Sequence, residues 1–143
     1  LFYKEFIDCL RADSAVTDTV TDFPCGETTV PAIFRAPVPE DAVMPYISVN
    51  IDGNSTPSGL IEEAIISVDY WDYSNSRAVS DTAAKAVKNL LHFTVMKTDD
   101  YSEIRIKRGS FGYVNQNDLR DIHYNTQFSA RATDSGWMKE TLQ

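Results

Sequence analysis

Asp69, Asp72 and His123 are the side chains in this sequence whose types could act together in catalysis. Two carboxylates near one strand end, with Trp71 between them and an imidazole elsewhere, are raw material for general acid–base chemistry. The rest of a catalytic set is missing. A nucleophile elbow G-x-S-x-G does not occur. Gly109 and Gly112 in RGSFGY lack the Lys-Ser/Thr that completes a phosphate loop. Neither His92 nor His123 has a Cys or His partner at a zinc-like interval. Glu62/Glu63 and Asp99/Asp100 are adjacent acids, but neighbours on a strand point to opposite faces and the second pair sits in a polar turn. Solvated charge is the better reading of both pairs. Cys9 lies on the apolar side of a helix, where a thiol behaves as a small hydrophobe. Cys25 follows a proline in a turn with no basic neighbour in sequence to activate it. Two cysteines make no disulfide framework and read as reduced residues of a protein assembled in the cytosol. No cofactor, metal or catalytic set is therefore expected, and a small enzyme or ligand-binding domain using Asp69, Asp72 and His123 is kept as the alternative.

The elements that would position these residues centre on 62–93. Ile66, Val68 and Tyr70 alternate with Ser67 and Asp69, which predicts a strand with one face toward a core. Trp71 and Ile65 imply that the second face is partly covered. The spacing then turns helical, with Val79, Ala83, Ala86 and Leu90 in one stripe and Val87 and Leu91 on its shoulder. Asp81, Lys85, Lys88 and Asn89 take the other side, and Ser74, Asn75 and Ser76 can cap the first turn. Upstream, LFYKEFIDCLRAD predicts a first helix burying Phe2, Phe6, Cys9 and Leu10. TDTVTDFPCGE is turn-rich and leads into an extended piece over 29–34. Prolines at 31, 37, 39 and 45 exclude a helix through an excursion loop at 35–45. YISVNI is a strand, and 52–60 (DGNSTPSGL) is a loop. Downstream, EIRIKR and FGYVN read as two strands joined by a tight connection at Arg108–Gly109–Ser110. Ile122, Tyr124, Thr126, Phe128 and Ala130 mark one face of a last strand; His123, Asn125, Gln127, Ser129 and Arg131 mark the other. The order predicts an α+β fold: a mixed, mostly antiparallel β-sheet with an N-terminal helix and one long helix packed on one face.

The 143 residues, 43% of them hydrophobic, suffice for one domain (1–132) and a C-terminal tail (133–143). A formal charge of −8, from 13 basic and 21 acidic residues, argues against an open nucleic-acid-binding surface. No apolar run approaches the ~18–20 residues that span a bilayer. No signal peptide is visible, though the chain opens at Leu1 without a methionine. Aromatic residues beside loops (Phe34, Tyr73, Tyr101, Phe111, Tyr113, Trp137) suit a contact surface as well as a core.

Three stretches resemble the tail terminator (tail completion, head–tail joining) proteins of long-tailed bacteriophages and phage-derived particles. These are MPYISVNI; ISVDYWDYSNSRAVSDTAAKAVKNLLH, with its strand, polar turn and helix ending in Leu-Leu-His; and DLRDIHYNTQFSARA. They are patterns of structure and not reactive constellations; the Asn-Ser-Thr-Pro loop and the Trp137 tail have no counterpart in the pattern. The resemblance implies a non-enzymatic virion protein, a homo-oligomer forming a ring of typically six subunits. The ring caps the head-proximal end of a tail tube, ends its polymerisation and meets a head completion or stopper protein. It further implies a place in the neck region of the virion tail after assembly in the bacterial cytoplasm, with DNA only as passing cargo. A neck or stopper adaptor of the same particle is the neighbouring alternative.

Two sets of residues follow as candidates. Arg35, Pro37 and Glu40 in the first long loop, Asn54, Ser55, Thr56 and Pro57 in the second, and Trp137 and Met138 in the tail are expected at subunit or tube contacts, because loops this long exceed simple connections. Trp137 is expected to anchor on a neighbouring subunit. Arg105, Lys107, His123, Asn125, Gln127 and Arg131 are expected on a polar sheet face toward solvent or a lumen.

Overall fold

The computed structural model describes residues 2–55, 61–73, 77–114 and 121–134, with the backbone alone at Asn54, Ser55 and Asp134. Its elements in chain order are α1 (Tyr3–Arg11), α2 (Ser14–Thr17), β1 (Asp22–Cys25), β2 (Thr28–Pro31), β3 (Ile33–Arg35), β4 (Tyr46–Ser55), β5 (Ile61–Asp72), α3 (Ala78–Leu91), β6 (Thr94–Met96), β7 (Tyr101–Tyr113) and β8 (Ile122–Asp134). β1 and β2 form a small hairpin, and a six-stranded sheet runs in the order β3-β4-β5-β8-β7-β6. Only the β3–β4 pair in this sheet is parallel; the rest are antiparallel. The class is α+β, as the pattern of elements predicts.

Period-two alternation decides which face is buried. Ile47, Val49 and Ile51 of β4, Ala64, Ile66, Val68 and Tyr70 of β5, Ile104 and Ile106 of β7, and Phe128, Ala130 and Ala132 of β8 share one core with both longer helices. α1 contributes Phe6, Ile7 and Leu10, and α3 contributes Ala83, Val87 and Leu91. Each Val, Leu, Ile or Phe side chain among them stabilises the fold by about 1.5–3 kcal/mol before the entropy of ordering it. All of this apolar burial lies on one side; among the described residues the opposite face carries no helix, and its end at Phe34 and Ser48 is buried, with Phe23 of β1 against Phe34.

Several expectations are corrected. The buried stripe of α3 is Ser80, Ala83, Val87 and Leu91, one position round from the predicted stripe, and Val79 is 42% exposed. Ser80 tolerates full burial because its hydroxyl bonds Arg77 O at 3.0 Å and Tyr113 OH at 2.9 Å. The helix N-cap is Arg77, without a side-chain cap; the predicted capping residues at 74–76 lie outside the described residues. No hairpin forms at 108–110: β7 is a single strand of 13 residues whose register shifts between Arg108 and Phe111. The turn-rich stretch at 22–25 is the strand β1. Asp52–Ser55, predicted as loop, are strand, paired with Glu62–Ile65; the rest of that predicted loop before Ile61 lies outside the described residues. In α1 Cys9 is only half-buried, and burial, with the Asp13 charge adding, pushes its thiol above the ordinary value.

Tyr70 ties the N-terminal segment to the middle of the sheet. Its buried hydroxyl donates to Thr19 O at 2.7 Å. Burial first, and the Asp72 charge second, push this phenol well above its ordinary value. An unfolded tyrosine releases its proton near pH 10, while folded Tyr70 holds its proton to higher pH. The contribution is therefore fully present below about pH 10 and lost as pH rises beyond it. Tyr70→Phe should cost about 1 kcal/mol at neutral pH through the lost bond. In urea melts between pH 10 and 12 the variant should also lose up to about 1.4 kcal/mol per pH unit of alkaline destabilisation, the share of one proton.

Candidate functional site: the open face of the sheet

The open face is built in rows across the strands, because residues opposite one another in register lie side by side. One row runs Ser48, Asp69, Asn125, Gly112; a second runs Asp52, Ile65, Ser129, Lys107; a third runs Glu63, Arg131, Arg105, Val95. Arg105, Lys107 and Arg131 are exposed, and His123, Asn125 and Gln127 are half-buried. All six expected residues of this face thus lie away from the helices. The face is not uniformly polar, however, and its two ends differ.

At one end the rings form a chain. The β1–β2 hairpin brings Phe23 edge-on to Phe34 at 5.0 Å; Phe34 meets Tyr46 at 6.4 Å, and Tyr46 meets Trp71 at 6.5 Å. Trp71 stacks on His123 with centroids 3.8 Å apart and planes 12° from parallel. Asp69 Oδ1 accepts from His123 Nε2 at 2.6 Å and from Asn125 Nδ2 at 2.9 Å. A carboxylate only accepts, so Nε2 of the imidazole carries the proton. Trp71 Nε1 reaches Ser48 Oγ at 3.4 Å. Burial raises the Tyr46 phenol, with Tyr73 and Asp121 adding to it.

The structure therefore brings together Asp69 and His123 and separates Asp72 from both. Asp72 sits on the core face, 7% exposed, because it is an odd number of residues from Asp69 on the same strand. No serine, threonine or cysteine among the described residues is hydrogen-bonded to the imidazole, and none of their His, Cys, Asp and Glu side chains gather in threes. What the group does is fasten β5 to β8: Trp71 opposes His123, Asp69 opposes Asn125, and the His123–Asp69 bond crosses the block diagonally. The three-residue acid–base set is not assembled.

At the other end lies a trough of about 880 Å³. Ile65, Phe93 and Val95 line it together with Arg105, Lys107 and Arg131. Ile65 is 56%, Val95 51% and Phe93 73% exposed. The expected partial cover over Ile65 is absent among the described residues. Phe93 adopts φ 62°, in the left-handed region. Sequence reasoning missed Phe93 and Val95. The available signal was a phenylalanine immediately past a helix end, where glycine is the usual residue.

The expected contact residues are scattered. Arg35 is exposed with its guanidinium 4.0 Å over the Tyr3 ring, and Pro37 and Glu40 are exposed on the loop after β3. Asn54 and Ser55 belong to β4, opposite Glu63 and Glu62. Thr56, Pro57, Trp137 and Met138 lie outside the described residues.

No protein-family model and no curated protein matches this chain. Among solved structures, a chain from the virion of a native gene transfer agent particle overlays it with a TM-score of 0.69. The overlay spans 88% of this chain and 90% of the other at 18% identity, so the two share a fold over nearly their whole lengths.

The fastening role of Asp69 gives a test. Asp69→Asn should move the His123 ring resonances in ¹H–¹⁵N spectra and destabilise the fold by about 1–3 kcal/mol in urea, as expected for a broken charge-assisted bond. Asp72→Asn should leave the His123 resonances in place.

Proposed function

We propose that this protein is a structural component of a phage or phage-like particle. In this reading it acts as a tail terminator, a ring that caps the head-proximal end of the tail tube and joins tail to head. The observation that carries the reading is the overlay with the gene transfer agent virion chain, which leaves little of either chain unmatched. The sequence resemblance of its strand–helix and final-strand stretches to tail terminators supplies the finer role. A sheet covered by helices on one side only, with large apolar residues on its open face, suits a subunit completed by neighbours. The loop carrying Arg35, Pro37 and Glu40, the 54–57 stretch and the tail with Trp137 and Met138 are the proposed contact segments toward neighbours, tube or head completion protein. His123, Asn125 and Gln127 are proposed to face the lumen, where a subunit charge of −8 disfavours a grip on passing DNA.

Negative-stain microscopy and native mass spectrometry of the purified protein test this. Rings of one size, typically six copies, and capping of tail tubes at one end are expected. Tight duplex binding at physiological salt is not. A protein that stays monomeric both alone and with tubes overturns the reading. Rings that bind head-side components and leave tubes uncapped place it at the neck instead.

A further inference from the structure

We infer that neighbouring copies of this chain meet head to tail, the acidic loop around Val43 of one copy seated in the basic-rimmed trough of the next. This rests on the ring reading above and names the surfaces that would make the ring.

Phe93 is the first reason. It occupies the position just past the end of α3, at φ 62°, a conformation that favours glycine and is an outlier for a bulky residue. Its ring is not used by the subunit's own core, being 73% exposed. Instead it lies against His92, centroids 3.9 Å apart, and His92 Nδ1 accepts the Arg108 backbone N–H at 3.0 Å. The subunit thus holds an aromatic ring at the rim of the trough, in a backbone geometry that is unfavourable for it. With Ile65 and Val95 it makes three large apolar side chains on one concavity, which is the pattern of a surface that a partner covers.

Charge selects the partner. Arg131 lies directly opposite Arg105, and Lys107 adjoins them in the next row. Like charges directly opposed are unfavourable in an isolated sheet. Glu103, 3.0 Å from Arg105, and Asp52 and Glu63 on the β4–β5 side offset them in part, so the positive character sits over β7 and β8. In a chain of net charge −8 this strip is the exception, and another copy offers mostly acidic surface. The loop after β3 carries the matching groups. Val43 is 63% exposed, and Glu40 and Asp41 just before it are exposed as well. The loop is held in place, since Thr21 Oγ1 donates to Val43 O at 2.7 Å, Thr21 N to Pro45 O at 2.9 Å and Ala42 N to Pro39 O at 3.1 Å. A preformed knob loses little freedom on docking. The side chains of 135–143 include one lysine and one glutamate, with no acidic cluster to match the rim.

Position agrees with a head-to-tail contact. The loop adjoins β3 at one edge of the sheet, while the trough runs from β4 across β5, β8 and β7 to β6 at the other edge, where Phe93 and Val95 stand. Five strand spacings of ~4.8 Å put these edges roughly 24 Å apart. Two different patches of a subunit make a heterologous contact, which generates rings when the rotation closes.

The test is charge reversal followed by native mass spectrometry and microscopy. A trough variant (Arg105→Glu with Lys107→Glu) and a loop variant (Glu40→Lys with Asp41→Lys) should each weaken ring formation at least tenfold, and the quadruple variant should restore it. Phe93→Gly should fold with equal or greater resistance to urea while losing rings, a combination that a purely structural role cannot give. Rings unaffected by both reversals, or no restoration in the quadruple variant, overturn the inference and leave the ring reading standing. If the reversed proteins assemble normally while a chain ended at Asp134 does not, the tail occupies the trough and the loop assignment is wrong. If the unaltered protein never forms rings, the ring reading itself fails.

Discussion

The pairing of β5 with β8 is the constraint on which the rest depends. Twelve consecutive register pairs join the two strands at the centre of the sheet, from Ile61 opposite Thr133 to Asp72 opposite Ile122. A slip of one residue would turn Ile66, Val68, Tyr70 and Phe128 out of the core and bring Ser67, Asp69 and Gln127 in. Burial of the apolar set against α1 and α3 therefore locks register, and register in turn decides which polar side chains can meet. Asp69 reaches His123 and Asn125 because all three have the parity of the open face. Asp72 has the parity of the core, and no local rearrangement short of a bulge would bring it back.

Much of this is legible in the sequence. The alternation in 61–72 and 122–132 named the faces of both central strands correctly, since period two with one buried face leaves little freedom. The existence of α1 and α3 and their common side of the sheet followed from helical spacing and chain order. Details failed where a single polar or turn-forming residue had a use that composition does not display. Ser80 takes a buried position that hydrophobicity assigns to Val79, because two hydrogen bonds satisfy its hydroxyl. Gly109 suggested a turn, but β7 runs on along β8 with only a shift of register between Arg108 and Phe111. The glycine instead permits close approach: a Cβ there would lie 3.3 Å from Gln127 O. Asp52 and Gly53 looked like loop and are strand, because their backbone groups find partners in Ile65 and Ala64.

The site was less legible than the fold, for a physical reason. A contact such as His123 Nε2 to Asp69 joins residues 54 positions apart, and it exists only in one register of a pair that sequence does not state. The stacking of His123 on Trp71 is a consequence of the same register. Phe93 is harder still, because its significance lies in a backbone angle and an exposure, and a phenylalanine after a helix otherwise reads as one more core residue.

The two ends of the open face show how residue type alone can mislead about function. The Asp69–His123–Asn125 group carries the reactive residue types, and in it Asp69 Oδ1 takes His123 Nε2 and Asn125 Nδ2 while the imidazole stacks on Trp71. Such a group holds β5 to β8. The trough carries unremarkable types, three apolar side chains and three cations, yet its interactions are incomplete within the subunit. Apolar surface remains in water, Arg105 faces Arg131, and Phe93 sits in a backbone conformation that favours glycine. Each of these is unfavourable for an isolated subunit. An acidic, apolar partner relieves two of them at once, by covering the apolar surface and neutralising the opposed cations. The third is the cost of presenting Phe93 to it. The proposed contact falls at the end of the face that the subunit leaves unsatisfied, while Asp69, His123, Asn125 and Trp71 join β5 to β8.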